Sequence, residues 1–133
     1  MTLAKIYLTQ GGTSILIPVP PAEISVQSPQ KINVHDTALQ GQITEIGRRE
    51  LRTYTWSSFF PGQEIAWALN RGMLGMEYVN TIEAMRDKRE PVRLTIPHMA
   101  ISVDTAVESF DYNQSKGKDI YYTISLTEYR RGV

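Results

Sequence analysis

The segment Thr53–Pro61, Thr-Tyr-Thr-Trp-Ser-Ser-Phe-Phe-Pro, constrains the fold more than any other part of this chain. Tyr54 and Trp56 alternate with Thr53, Thr55 and Ser57, and a period of two in β-branched and aromatic residues demands a strand with one buried face. Pro61 lacks the amide hydrogen that a sheet ladder needs, so the strand stops there. Neighbouring side chains in a strand point to opposite faces, so Phe59 and Phe60 cannot enter the same core. Either two cores meet at this point or one ring is left for a partner. The segment is preceded by Gly47 and the densest charge cluster of the chain, Arg48-Arg49-Glu50 with Arg52.

The flanking sequence repeats this theme. Residues 3–9 and 14–19 read as strands joined by Gly11-Gly12, which supplies the positive φ angles of a tight hairpin. Ile15, Ile17 and Val19 share one face. Pro20 and Pro21 give a stiff exit, and a short strand follows through Ile24 and Val26. Residues 31–35 alternate again, and 38–47 read as extended through Ile43 and Ile46, with bends at Gly41 and Gly47. Residues 63–75 read as a short helix or an ordered loop. The period changes at 76–88, where Met76, Val79, Ile82 and Met85 form a helical stripe. Strands return at 92–96, 100–112 and 120–129. In 100–112 the apolar parity switches from odd (Ile101, Val103, Val107) to even (Phe110, Tyr112), which calls for a bulge near Thr105–Glu108. These readings add up to an α+β domain over 1–133: a mostly antiparallel curled sheet or open β-barrel, with one long inserted helix at about 76–88.

Composition narrows the chemistry. Lys+Arg and Asp+Glu are equal at 14 each, so no net field draws the chain to nucleic acid or to an anionic membrane. The absence of cysteine removes disulfides, thiolate zinc sites and cysteine catalysis, and it fits folding in the cytoplasm. No apolar run approaches the roughly 18–20 residues of a membrane span.

No catalytic constellation emerges. His35 and Asp36 are adjacent and so point to opposite faces of a strand, while His98 stands alone between Pro97 and Met99. Glu45 and Glu50 form the kind of acid pair that any chain with this many carboxylates offers. Ser57-Ser58 lacks a nucleophile elbow. The expectation is therefore a non-enzyme without cofactor or metal. Candidate partner contacts are Arg48, Arg49 and Arg52, whose guanidinium forks suit carboxylates, together with Phe59, Phe60 and Trp67 as aromatic anchors.

Four segments carry a family resemblance: Ile17-Pro18-Val19-Pro20-Pro21-Ala22-Glu23-Ile24, the 47–61 stretch, Met85-Arg86-Asp87-Lys88-Arg89-Glu90-Pro91-Val92-Arg93-Leu94, and Asp119 to Arg130. In order and spacing the chain resembles the N-terminal domain of LysM-type baseplate proteins. These occur in contractile phage tails, PBSX-like prophages and phage-tail-like bacteriocins. The resemblance implies a structural part of a virion or tailocin baseplate, present in several copies around the hub. Such a part ties the hub and tube, or tube initiator, to sheath-initiator and wedge proteins. It carries over no catalytic residue. Family members commonly continue into a LysM module, whereas this sequence stops at Val133. The adaptor role is therefore the main expectation. A cell-wall glycan-binding module, with Trp67 and tyrosines stacking on sugar faces, is the alternative.

Overall fold

A computed structural model describes residues 5–63, 68–69, 73–114 and 117–130. The first hairpin pairs β1 (Tyr7–Gln10) with β2 (Thr13–Leu16), matching Tyr7 to Leu16 and Gln10 to Thr13. Gly11 takes φ +56° at its turn, a conformation that favours glycine. β3 (Ile24–Gln27) follows, and β4 (Gln30–Thr37) and β5 (Gly41–Arg49) form a second hairpin. Next come β6 (Thr53–Phe60), α1 (Met76–Asp87), β7 (Val92–Ile96), a 3-10 turn at Pro97–Met99, β8 (Ile101–Gln114) and β9 (Ile120–Glu128).

Seven strands form one sheet in the order β2-β1-β7-β8-β9-β6-β3, with every neighbouring pair antiparallel. β2 and β3 are its edges, so the sheet is open and curled, not a closed barrel. Its buried face carries Leu8, Tyr54, Trp56, Phe60, Leu94, Ile124 and Leu126. The helix α1 packs onto that face through Tyr78, Val79, Ile82 and Met85. Burying each side chain of this size contributes about 1.5–3 kcal/mol. Phe60 is the centre of the packing. Its ring stacks on Tyr122 at 4.1 Å and on Tyr78 at 4.8 Å, while Phe110 meets it edge-on at 6.5 Å. Gln10 is a buried polar residue in this apolar setting, and its Nε2 donates to the carbonyls of Met85 and Glu90 at 2.8 and 3.1 Å. It therefore ties β1 to the end of the helix, where carbonyls lack intrahelical partners.

Three readings need adjustment. Met76 is exposed and Tyr78 takes its place in the apolar stripe. The helix starts where the Gly75 amide donates to the Pro61 carbonyl at 2.8 Å, and its first residue falls outside the packed face. Gly47 lies inside β5 and is not a bend; Gly41, at φ +71°, does turn the chain. Most consequentially, β4 and β5 pair with each other and with no strand of the large sheet, so their branched residues stay outside the core. The parity switch in β8 has the expected cause. Val107 pairs with Leu126 and Ser109 with Ser125, which leaves Glu108 as the extra residue of a bulge. Much of 63–75 lies outside the described residues.

Candidate functional site

The β4–β5 hairpin is an arm built from alternating sequence with no core to enter. Its register sets Ile32 opposite Ile46 and Val34 opposite Thr44 on one face, and Asn33 opposite Glu45 and His35 opposite Ile43 on the other. Ile32 and Val34 are 57% and 58% exposed, Ile46 is 71% exposed, and Leu39 at the tip is 98% exposed. The tip is closed by Thr37, whose Oγ1 donates to the Gly41 carbonyl at 2.8 Å and accepts from the Gln40 amide at 3.0 Å. The second face is polar apart from Ile43, and there His35 Nε2 lies 2.9 Å from Glu45 Oε2. His35 and Asp36 do point to opposite sides. Both faces are open among the described residues, and the face of Ile32, Val34 and Ile46 is the more apolar one.

The base of the arm is fastened by Glu128. Its Oε1 accepts from Arg49 Nη1 at 3.1 Å and from the Arg52 amide at 3.4 Å, and lies 3.5 Å from Arg130 Nη2. The Glu128 side chain is 11% exposed. Burial alone would raise its pKa. The hydrogen bonds from Arg49 and Arg52 and the charges of Arg49 and Arg130 outweigh that and hold the carboxyl below its ordinary value. The Glu50 amide donates to the Pro29 carbonyl at 3.0 Å, and Arg52 Nε to Ser28 Oγ at 3.1 Å. The arm thus leaves the sheet at the end where β6 and β3 meet, through a charged clasp.

The sequence-derived contact residues divide accordingly. Arg49 and Arg52 belong to the clasp, and Arg48 is exposed on β5 beside it. Phe60 is fully buried and has no surface to offer. Phe59 points the other way, is half-buried, and rests against Tyr121 with ring centroids 5.6 Å apart. Trp67 lies outside the described residues. The second feature of interest is therefore at the opposite end of the strands, where Phe59 and Tyr121 sit on one face and exposed Tyr112 on the other. Exposed Met76 lies at this end too, because α1 starts from the end of β6.

Between these ends, the sheet face turned away from α1 carries hydroxyls. Thr55 Oγ1 and Ser125 Oγ are 3.1 Å apart, and Ser57 Oγ and Thr123 Oγ1 are 2.8 Å apart. Thr127 Oγ1 donates to Glu108 Oε2 at 2.6 Å. On the buried side Trp56 Nε1 donates to the Tyr122 hydroxyl at 3.1 Å, and burial pushes the Tyr122 pKa up. Among the described residues no group of three or more His, Asp or Glu side chains is arranged to hold a metal ion, and no helix is long and apolar enough to cross a membrane.

Sequence reasoning missed Glu128 and the exposure of the arm. Glu128 was visible only as the acid of Glu128-Tyr129-Arg130, next to a strand end. Nothing local shows that it meets Arg49, 79 residues away.

Comparison with other proteins gives two findings. Over 133 residues the chain is 27% identical to the uncharacterized protein YqbP of Bacillus subtilis strain 168, matching 97% of this chain and 60% of that protein. It therefore spans about three fifths of that relative. No family model matches. Among solved structures, a chain from the tail of an empty GTA particle, determined with helical C6 symmetry, has the same fold. The TM-score is 0.57 at 15% identity, covering 96% of this chain and 92% of that one.

Proposed function

We propose that this protein is a structural subunit of the tail of a phage or phage-like particle, present in several copies around the tail axis. The observation that carries the reading is the near end-to-end likeness of fold to a chain of a six-fold tail assembly. The exposed aliphatic arm supports it, because apolar surface left at the end of a well-packed domain is surface prepared for neighbours. In finer detail we place the protein in the baseplate, as an adaptor between the hub and tube and the sheath-initiator or wedge proteins. The resemblance of its 17–24, 47–61, 85–94 and 119–130 segments to LysM-type baseplate proteins supports that placement. Its work is mechanical: it buries surface against several partners and holds them in register. Assembly takes place in the bacterial cytoplasm, and the finished subunit resides in the particle.

The test is mass spectrometry and cryo-electron microscopy of tail particles from a producing strain. The expected result is density for this fold at the junction of tube and hub, in a ring. Arg48→Glu, which changes an exposed residue outside the core, is expected to lower particle yield while leaving the isolated protein folded. Intact particles that lack the protein would end this reading.

A further inference from the structure

The face of the sheet turned away from α1 is not flat. Across β3, β6, β9 and β8 it holds two depressions that meet at Ser57. The first, about 320 Å³, is lined by Glu23, Ser25 and Thr55. The second, about 420 Å³, is lined by Thr123, Asp111, Asn113 and Tyr121. Both volumes lie in the range of small-ligand sites. Neighbouring strands lie about 4.8 Å apart, so the groove runs about 14 Å from β3 to β8. The strand register sets its side chains on one face. Phe59, Tyr121 and Asn113 form one row across three strands, and Ser57, Thr123 and Asp111 form the next. Alternation along β9 turns Tyr121 and Thr123 outward, while Ile120, Tyr122 and Ile124 are buried.

The groove joins an aromatic wall to a hydrogen-bonding floor. Tyr121 is 46% exposed, and its ring leans on Phe59, so it has little freedom to lose when a ligand covers it. The floor holds the Ser57–Thr123 and Thr55–Ser125 hydroxyl pairs, at 2.8 and 3.1 Å. Each pair uses one O–H internally and keeps the other to donate outward. The side chains of Asp111 and Asn113 have no hydrogen-bond or ion-pair partner among the described residues. Glu23 brings a second carboxylate to the other end of the groove.

These features select among ligands. A pyranose has an apolar face of C–H bonds, which suits a tyrosine ring, and a rim of hydroxyls. Those hydroxyls donate to carboxylates and accept from serine and threonine. Two carboxylates disfavour an anionic ligand. A cationic side chain would use the ring and the carboxylates, but it has no acceptor for the O–H groups of the floor.

We propose that this groove binds a neutral saccharide, with one sugar ring stacked on Tyr121, its hydroxyls bonded to Asp111 and Asn113, and the chain continuing over Ser57 toward Glu23. This is a further activity beyond the structural role. It leaves the arm free, because the arm is fastened at the Thr53–Thr127 end of the strands.

The experiment probes an array of neutral and anionic glycans with the purified protein, then follows the best-bound oligosaccharide by amide NMR titration. Neutral saccharides are expected to bind, and sialylated or sulfated ones are not. The expected Kd is about 0.1–1 mM, the strength of one stacked ring and a few hydrogen bonds exchanged with water. Shifts are expected at Thr55 to Phe59, Asp111 to Asn113 and Tyr121 to Thr123. Tyr121→Ala is expected to bind about 10-fold more weakly, and Tyr121→Phe, which keeps the ring, within about 3-fold of wild type. Asp111→Ala is expected to lose at least about 10-fold. Asp87→Asn, an exposed carboxylate on α1, is expected to bind like wild type. Tyr121 and Asp111 are exposed, so their variants are expected to keep the wild-type melting temperature. An array on which no neutral saccharide binds better to wild type than to Tyr121→Ala would overturn the proposal. So would shifts confined to other surfaces, an Asp111→Ala variant of wild-type affinity, or tighter binding of a Lys- and Arg-containing peptide than of any saccharide. Because the assay reads the isolated protein, its failure leaves the tail reading intact, and absence of the protein from tail particles leaves the saccharide result standing.

Discussion

Replacing Glu128 by glutamine keeps the shape of the clasp and removes its charge. The structure sets the scale of the effect. Glu128 is 11% exposed, whereas the Arg49 and Arg130 side chains that meet it are 35% and 48% exposed. Sheltered hydrogen bonds to a charged group contribute about 1.5–3 kcal/mol, and exposed ion pairs about 0.2–1 kcal/mol. With one sheltered acid and two half-wet partners, Glu128→Gln is expected to cost about 1–2 kcal/mol at neutral pH. In urea unfolding that is a midpoint lowered by about 0.5–1 M with an unchanged slope. The effect also has a direction in pH. The folded-state pKa of Glu128 is depressed below 4.5, so its contribution is complete above that value and is lost as pH falls through the folded pKa. Wild type and variant should therefore differ most above 4.5 and converge in acid. Hydrogen exchange supplies a second readout: amides at the base of the arm, Arg49 to Arg52, should lose protection in the variant while the sheet centre at Ile124 does not. A stability gap under about 0.5 kcal/mol, or one that stays constant through the acid range, would show that Glu128 is not the fastener described here.

Three further substitutions test the packing. Phe60→Ala removes a ring stacked on Tyr78 and Tyr122 and is expected to cost about 3–5 kcal/mol, whereas Phe59→Ala, on the other face, should cost about 1–1.5 kcal/mol. Thermal melts of the pair decide it, and equal losses would contradict the assignment of faces. Gly62→Ala would drive a Cβ into the backbone carbonyl and Cβ of Lys118, which cannot both yield, so a loss of about 1–3 kcal/mol by urea unfolding is expected.

The legible parts of the sequence were those where local pattern and tertiary role coincide. Tyr54 and Trp56 are buried where their period of two put them, and the β8 bulge follows from the parity change between Val107 and Phe110. Phe59 and Phe60 separate as adjacent strand residues must. The arm was only half legible. Ile32 and Val34 alternate like a strand with a buried face, and periodicity records a face without saying whose surface covers it. Met76 misled for a related reason, since a helical stripe does not show where the sheet beneath it ends. The clasp was invisible because Glu128, Arg49 and Arg52 are brought together only by the β6–β9 pairing.

The strand order also governs when this chain can fold. β1 pairs with β7, and β6 waits for β9, so the central pairings join segments tens of residues apart. While the chain emerges from the ribosome, the arm can zip from its own tight turn. Tyr54, Trp56 and Phe60 have no cover until Ile120–Glu128 has been synthesised. The β4–β5 hairpin therefore has all its own strand partners before the sheet that carries it is complete.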